Sequence, residues 1–277
     1  PASLFDLASL TKVLCTTTLY AIALDKKLIS INQSVQEYFK NFPNPRVKLS
    51  HLLNHCSGLP AWLPLHSTFH DEDGAGIFDP LKTPKLARLD YENKILQSWT
   101  ENTLEKTQVY SDLDFMLLGW ILEKATNNGL SVLFQDWITK NLSLKNLHFL
   151  PTSSDVIPTE NCPWRKRILR GEVHDDNCFV LGGIAGHAGL FGNTEDVLTI
   201  GNLWLNNVTS EKTLLFSHKT ALHFFTFQHV PGTWTLGWDG ISKERSSAGK
   251  YLSLESRGHL GFTGTSLWID PKNKIVV

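Results

Sequence analysis

The stretch from Val13 to Leu24 carries no charge and is broken only by Thr16, Thr17 and Thr18. On a helix its apolar residues Val13, Leu14, Leu19, Tyr20, Ala21, Ile22, Ala23 and Leu24 fall on more than one face, so packing one side alone would leave apolar surface in water. It is also shorter than the roughly 20 residues that a membrane span requires. The spacing predicts a helix from Thr11 to Leu28 that is enclosed by the rest of the protein, with its N-terminus inside the molecule. A chain of 277 residues, 42% hydrophobic and 19% charged, has the length and composition to build that enclosure as one large domain or two closely packed ones.

The mouth of this helix carries Ser9-Leu10-Thr11-Lys12. One turn separates positions 9 and 12, which puts both side chains on one face and lets the amine approach the hydroxyl. A serine hydroxyl is a weak nucleophile until a neighbouring base takes its proton, and a lysine serves as that base only where desolvation lowers its pKa. The apolar helix supplies the desolvation, and its N-terminal amides favour an oxyanion beside Ser9. A serine cap followed by a lysine gives the same four-residue pattern, so the motif needs partners elsewhere in the chain.

Val35 to Phe39 reads as a short helix ended by Asn41-Phe42-Pro43-Asn44-Pro45, and Leu63 to Pro84, with the acidic run Asp71-Glu72-Asp73, as a long loop. Apolar residues at 113, 117, 118, 121, 122 and 125 predict a helix from Leu113 to Ala125, followed by helices from Ser131 to Thr139 and from Thr194 to Trp204. Thr233 to Trp238, Thr265 to Asp270 and Lys274 to Val277 read as strands, the last two as a hairpin through Pro271-Lys272-Asn273. The fold class is α+β. Residues 1–277 form a single unit in which roughly 30–200 is mostly helical, while 1–29 and 230–277 belong with an antiparallel sheet.

Partners for Ser9 and Lys12 stand in order along the chain. Tyr110-Ser111-Asp112 offers a phenol and a carboxylate at a loop-to-helix junction, and His259-Leu260-Gly261 precedes Phe262-Thr263-Gly264-Thr265 at the start of a strand. Together with Phe5-Asp6-Leu7-Ala8-Ser9, His51 to Pro60, Gly171 to Asn177 and Gly182 to Phe191, they make the chain resemble the serine β-lactamase and penicillin-binding protein superfamily over nearly its whole length. That superfamily carries S-x-x-K, then Y-x-N or S-x-N, then K-T-G. Tyrosine in the second motif is similar to the class C branch with its esterase and peptidase relatives.

The resemblance implies the serine β-lactamase/DD-peptidase fold, with a helical region packed beside an antiparallel sheet and the active site between them. It implies Ser9 as the acylated nucleophile, Lys12 as its proton acceptor, and Tyr110 as the group that shuttles the proton to the leaving group and later activates water. The backbone amides of Ser9 and Phe262 would form the oxyanion hole, with Asp112, His259 and Gly261 on the substrate side. The chemistry needs no metal or cofactor, and the partner is a small-molecule or peptide acyl substrate. A β-lactamase-like esterase or weak β-lactamase leads; a D-alanyl-D-alanine carboxypeptidase on cell-wall peptides follows; a penicillin-binding or sensor module without turnover is the non-enzymatic alternative. A bacterial periplasm or cell envelope is the implied location.

Three departures from the family pattern carry consequences. Asp112 stands where Asn is usual, which removes two amide donors and sets a negative charge beside Lys12, favouring the charged amine. His259 stands where Lys is usual, so the cation that would hold a substrate carboxylate becomes conditional on pH. The strand pair that usually precedes the first motif and the strands and helix that usually follow the third are absent or curtailed, so the chain reads as truncated at both ends.

Other features take plainer readings. Lys and Arg number 26 against 27 Asp and Glu, a formal charge of -1 that provides no field for nucleic acid or acidic lipid. Cys15, Cys56, Cys162 and Cys178 contain no C-x-x-C pair and read as isolated buried thiols. His174, Asp175, Asp176 and His187 match no zinc spacing; with Gly182, Gly183, Gly186 and Gly189 they suggest a tightly turned loop that walls the active site. Arg165, Lys166, Arg167 and Arg170 read as a solvated loop edge. Among the tryptophans, Trp62 and Trp164 lie in loops that could line a cleft, while Trp234 and Trp238 read as core.

Overall fold

The computed structural model, which describes residues 3–69, 79, 82–242, 244 and 246–277, is built around the helix that the apolar stretch predicts. A two-residue strand, β1 (Phe5–Asp6), leads to a π-helical segment, Lys12–Thr17, which runs without a break into helix α1 (Thr18–Asp25). Every residue from Leu10 to Ala23 is buried. Two of the threonines tolerate this because their hydroxyls find partners: Thr16 donates to the Gly186 carbonyl at 2.6 Å, and Thr18 donates to Val13 O at 2.8 Å while accepting from Trp204 Nε1 at 3.0 Å, whereas the Thr17 hydroxyl has no hydrogen-bond partner among the described residues.

The chain continues through α2 (Leu49–Leu53), α3 (Thr83–Ser98), α4 (Asp112–Thr126) and α5 (Leu130–Phe134), which a π turn, Gln135–Thr139, joins to α6 (Lys140–Leu142). Helix α4 packs on α2, α5 and the π-helical start of α1. Next come β2 (Leu147–Phe149), the short hairpin β3 (Asn161–Cys162) and β4 (Arg167–Ile168), α7 (Asp176–Val180) and β5 (Leu190–Gly192). Strand β5 lies between β1 and β2 in an antiparallel sheet, with Asp6 opposite Phe191.

Helices α8 (Thr194–Thr209) and α9 (His218–Thr226) precede β6 (Asp239–Gly240), β7 (Arg257–Leu260), β8 (Ser266–Asp270) and β9 (Ile275–Val276), an antiparallel meander in chain order. Helix α8 lies on β8 and β9. Gly201 sits where they meet: a Cβ there would come within 2.5 Å of Val276 Cγ1 and 3.1 Å of Leu267 Cδ1, so only glycine allows the approach. The fold is α+β, as the sequence predicts.

The helices expected over 113–125, 131–139 and 194–204 are present and somewhat longer, and the C-terminal hairpin pairs Ile269 with Val276. Two expectations need correction. Thr233 to Trp238 forms no strand: Thr235 N donates to Trp238 O at 2.8 Å, closing a turn, and Gly237 takes φ 83 against the side chain of Thr17. Thr235, Leu236 and Trp238 are buried without strand pairing, while Thr233 and Trp234 are half-buried. The loop over Leu63 to Pro84 contains a 3-10 turn, Leu65–Phe69, and its end starts α3, while Asp71-Glu72-Asp73 lie outside the described residues. All four cysteines are buried and unbridged. No helix among the described residues is long and apolar enough to cross a membrane.

Candidate active site

The first motif is delivered by a tight turn. Asp6, the last residue of β1, accepts the Ala8 amide on Oδ1 at 2.8 Å and the His174 amide on Oδ2 at 2.6 Å. Between them Ala8 adopts φ 45, a left-handed conformation that costs an L residue energy and turns the chain sharply just before Ser9. Lys12, one turn on, is fully buried, yet its ammonium is surrounded by acceptors: Ser9 Oγ at 2.8 Å, Asp112 Oδ1 at 2.6 Å and the His187 carbonyl at 3.2 Å. The Tyr110 hydroxyl donates to the same Ser9 Oγ at 2.9 Å, and its ring centroid lies 4.9 Å from Lys12 Nζ.

Burial pulls the Lys12 pKa down, but the charges and hydrogen bonds of Asp112 and Tyr110 outweigh it, and the net shift is above the ordinary lysine value of 10.5. Desolvation by the apolar helix therefore does not by itself make Lys12 a base; Asp112 keeps it an ammonium, the direction expected from the aspartate in the second motif. Burial raises the Tyr110 phenol, Lys12 lowers it and Asp112 raises it again, leaving it above its ordinary value.

The second motif is strapped to the segment between His55 and Ala61. Val109 N donates to His55 O at 2.7 Å, Ser111 N to His55 Nδ1 at 3.2 Å, Ser111 Oγ to Pro60 O at 2.7 Å and Asp112 N to Ala61 O at 2.9 Å. Ser111 also caps α4 by accepting the Asp114 amide. Tyr110 stacks on Trp234, 5.2 Å between centroids at 27°, with His55 and His259 at 5.0 and 5.7 Å. Behind it Asp114 accepts Ser57 Oγ at 2.5 Å and lies 3.0 Å from His55 Nδ1. Sequence reasoning assigned no role to His55, Asp114 or Trp234 in placing the phenol; the run from His51 to Pro60 was the available signal.

The third motif is fastened to the first. Thr263 Oγ1 donates to Asp6 O at 2.6 Å, Thr265 Oγ1 to Leu7 O at 3.3 Å, and Gly261 N closes the turn onto Thr265 O at 2.6 Å. A Cβ on Gly261 would stand 2.7 Å from Leu7 O, so this glycine lets the two motifs touch. His259 is buried on β7 with Nδ1 2.7 Å from Leu260 O. Burial and then the charge of Lys12 lower its pKa to about 3. It is a neutral imidazole at physiological pH, not the conditional cation that its place in the motif suggests.

Ser9, Tyr110, Asp112 and Phe262 line one cavity of about 440 Å³, with Trp62 and Phe262 exposed at its rim. Lys12 lies beneath Ser9, while His259 and Gly261 stand behind the lining. Among the described residues, the amides of Ser9 and Phe262 donate no hydrogen bond. His174, Asp175, Asp176 and Ala188 complete the opposite wall, held by Asp175 Oδ1, which takes the Cys178 amide at 2.6 Å and lies 2.9 Å from His187 Nε2. Trp164 stays outside the lining and donates to Asp176 at 2.9 Å. Arg165 is buried and paired with Asp176 at 2.5 Å, not a solvated edge.

One group among the described residues has metal-ligand character: His51, Glu105 and His229 bring ligand atoms within 4.8 Å of one another. His51 Nδ1 already accepts the Lys48 amide at 3.1 Å, which leaves the neutral ring's proton on Nε2, 2.9 Å from Glu105. That arrangement fits a brace between α2 and the segment that carries Glu105.

The family profile described as Beta-lactamase matches residues 1–277. The chain belongs to the beta-lactamase family. It is 30% identical over 97% of its length to an N-acetylmuramyl-L-alanine amidase of Bacillus subtilis, of which it spans 65%. It is 29% identical over 99% of its length to a Salmonella gallinarum protein named for D-alanyl-D-alanine carboxypeptidase, of which it spans 68%. An octameric penicillin-binding protein homologue from Pyrococcus abyssi superposes on all of the chain with a TM-score of 0.75 at 18% identity, covering 61% of that structure, which identifies the shared fold. Within this beta-lactamase-family chain, the three motifs predicted from sequence meet at one cleft.

Proposed function

We propose that this chain is a serine hydrolase that transfers an acyl group from an ester or amide to Ser9 and then to water. The observation that carries the reading is Ser9 Oγ itself, held at once by Lys12 Nζ and Tyr110 OH at the edge of an open cavity. The reactive form is the one in which the Lys12–Tyr110 pair has lost one proton, a titration that belongs to the pair and not to either residue. As Oγ attacks the substrate carbonyl, its proton passes to the pair, which returns it to the leaving group as the carbonyl–leaving-group bond breaks. Water then repeats the sequence on the acyl-enzyme. The unengaged amides of Ser9 and Phe262 are the donors available to the oxyanion.

Asp112 favours the protonated lysine, so activity should rise with pH as the pair deprotonates. The relatives are named for an amidase and a carboxypeptidase, both of which break amide bonds, and this supports an amide as the natural scissile bond.

A fluorescent penicillin or fluorophosphonate, followed by mass spectrometry of the labelled peptide, tests the assignment. Ser9→Ala should abolish labelling and hydrolysis with the fold intact, and Tyr110→Phe should slow acylation by about 100- to 10,000-fold. Labelling of another residue in the first variant, or an unchanged rate in the second, would refute the roles. A stoichiometric burst without steady state would instead identify the non-turnover module.

A further inference from the structure

The ionisable groups around Ser9 are distributed unevenly. The cavity beside it is lined by Asp112, Asp175, Asp176 and His174. A second cavity of about 360 Å³, sharing His174 and Phe262 with the first, adds Asp6 and Glu160. Neither lining contains a lysine or arginine among the described residues. Among the described residues the nearby cations are paired: Lys12 is buried on Asp112, Arg165 is buried on Asp176 and the Val173 carbonyl at 2.7 Å, and the half-exposed Arg167 pairs with Glu172 at 2.5 Å. The third-motif histidine, buried and neutral, supplies no cation either. Carboxylates thus line the cavities while the ammonium of Lys12 and the guanidinium of Arg165 are buried. Asp176 is the most open of the three in the first cavity, with 31% of its side chain exposed. Its Oδ1 accepts from Trp164 and Arg165, while the contact given for Oδ2 among the described residues is His66 Nε2 at 3.9 Å.

We infer that the cleft takes acyl substrates that present hydrogen-bond donors, an ammonium above all, to Asp175 and Asp176, and that carry no carboxylate at that position. This rests on Ser9 being the acylated residue. Ionised carboxylates are acceptors only, so a substrate ammonium or amide meets ready partners there. A substrate carboxylate would be desolvated beside those carboxylates with no lysine or arginine among the described lining residues to meet it.

Three p-nitrophenyl esters of equal length test it: hexanoate, 6-aminohexanoate and monoadipate, compared by kcat/KM at pH 7.5 and low ionic strength. The ammonium ester should be the best and the carboxylate ester the worst, about tenfold apart or more, as one unit charge in a half-solvated cleft produces. Added salt should compress that ratio. Asp176→Asn should narrow the ratio several-fold; should that variant not fold, the salt titration of the unaltered protein decides. A carboxylate ester that equals or outperforms the neutral one, with all activity lost in Ser9→Ala, overturns the inference while leaving the nucleophile in place. No hydrolysis of any ester, or hydrolysis that survives Ser9→Ala, removes the nucleophile and the inference together.

Discussion

Asp112→Asn isolates the interaction that sets the protonation state of the site. Lys12 is fully buried and Asp112 has 17% of its side chain exposed, with 2.6 Å between Nζ and Oδ1. Taking one partner from a buried ion pair typically costs about 3–5 kcal/mol, because the other charge is left without compensation. Lys12 can limit that loss by shedding its proton, and this makes the cost depend on pH. In the unaltered protein the folded pKa lies above 10.5, so the stabilisation is fully present below pH 10.5 and is lost only as pH rises through the higher folded value. Without Asp112 the largest remaining influence is burial, which lowers the pKa. The unfolded chain then binds more protons than the folded one, and stability climbs with pH by up to about 1.4 kcal/mol per unit until pH reaches 10.5. In a protein of this size that is roughly 3 °C of Tm per pH unit.

Thermal melts of both proteins from pH 6 to 9 should therefore show a variant several degrees less stable at pH 6, with a deficit that shrinks steadily towards pH 9. Melting curves that stay parallel across the range would show that Lys12 does not depend on Asp112 for its charge, and the proton bookkeeping proposed for catalysis would fail with it.

Gly186→Ala should destabilise the protein by about 3 kcal/mol, because its Cβ would stand 2.1 Å from Phe115 O and 3.0 Å from the Gly119 backbone, neither of which can move alone. A urea midpoint like that of the unaltered protein would contradict this packing. His259 has a folded pKa of about 3 against an ordinary 6.5, so it costs nothing above pH 6.5 and removes up to roughly 5 kcal/mol as pH falls to 3. His259→Gln should make the acid limb of stability shallower, and a limb equally steep between pH 6 and 4 would show that the imidazole titrates normally.

Ser9 and Lys12 were legible because one helical turn brings them together whatever the rest of the fold does. Tyr110 was legible only by resemblance: its approach to Ser9 spans 101 positions and depends on the straps from His55, Pro60 and Ala61. Strands β1 and β5 left no local trace, since two- and three-residue strands owe their pairing to their partners. Helix α3 went unread because its buried face is the narrow row Thr83, Ala87, Tyr91 and Ile95 with Leu96 beside it, while Leu86 and Leu89 face solvent and blur the period. The segment from Thr233 to Trp238 failed in the opposite way, carrying strand-forming residues for the sake of burial.

His259 shows the sharper limit. An imidazole ordinarily titrates near neutral pH, but here burial, against neighbours that include Tyr110 and Trp234, and then the charge of Lys12 set its titration, and none of these residues is near it in the chain. The departure at 259 and the departure at 112 then act in the same direction. A family pattern of Lys, Asn and Lys at positions 12, 112 and 259 would place two positive charges around Ser9. Lys12, Asp112 and a neutral His259 place none net. A substrate anion loses its attraction twice over, while Lys12 keeps the ammonium state that a second buried cation at 259 would have opposed. The histidine and the aspartate are better understood as one electrostatic change than as two separate substitutions, and that change is consistent with the acidic wall facing Ser9.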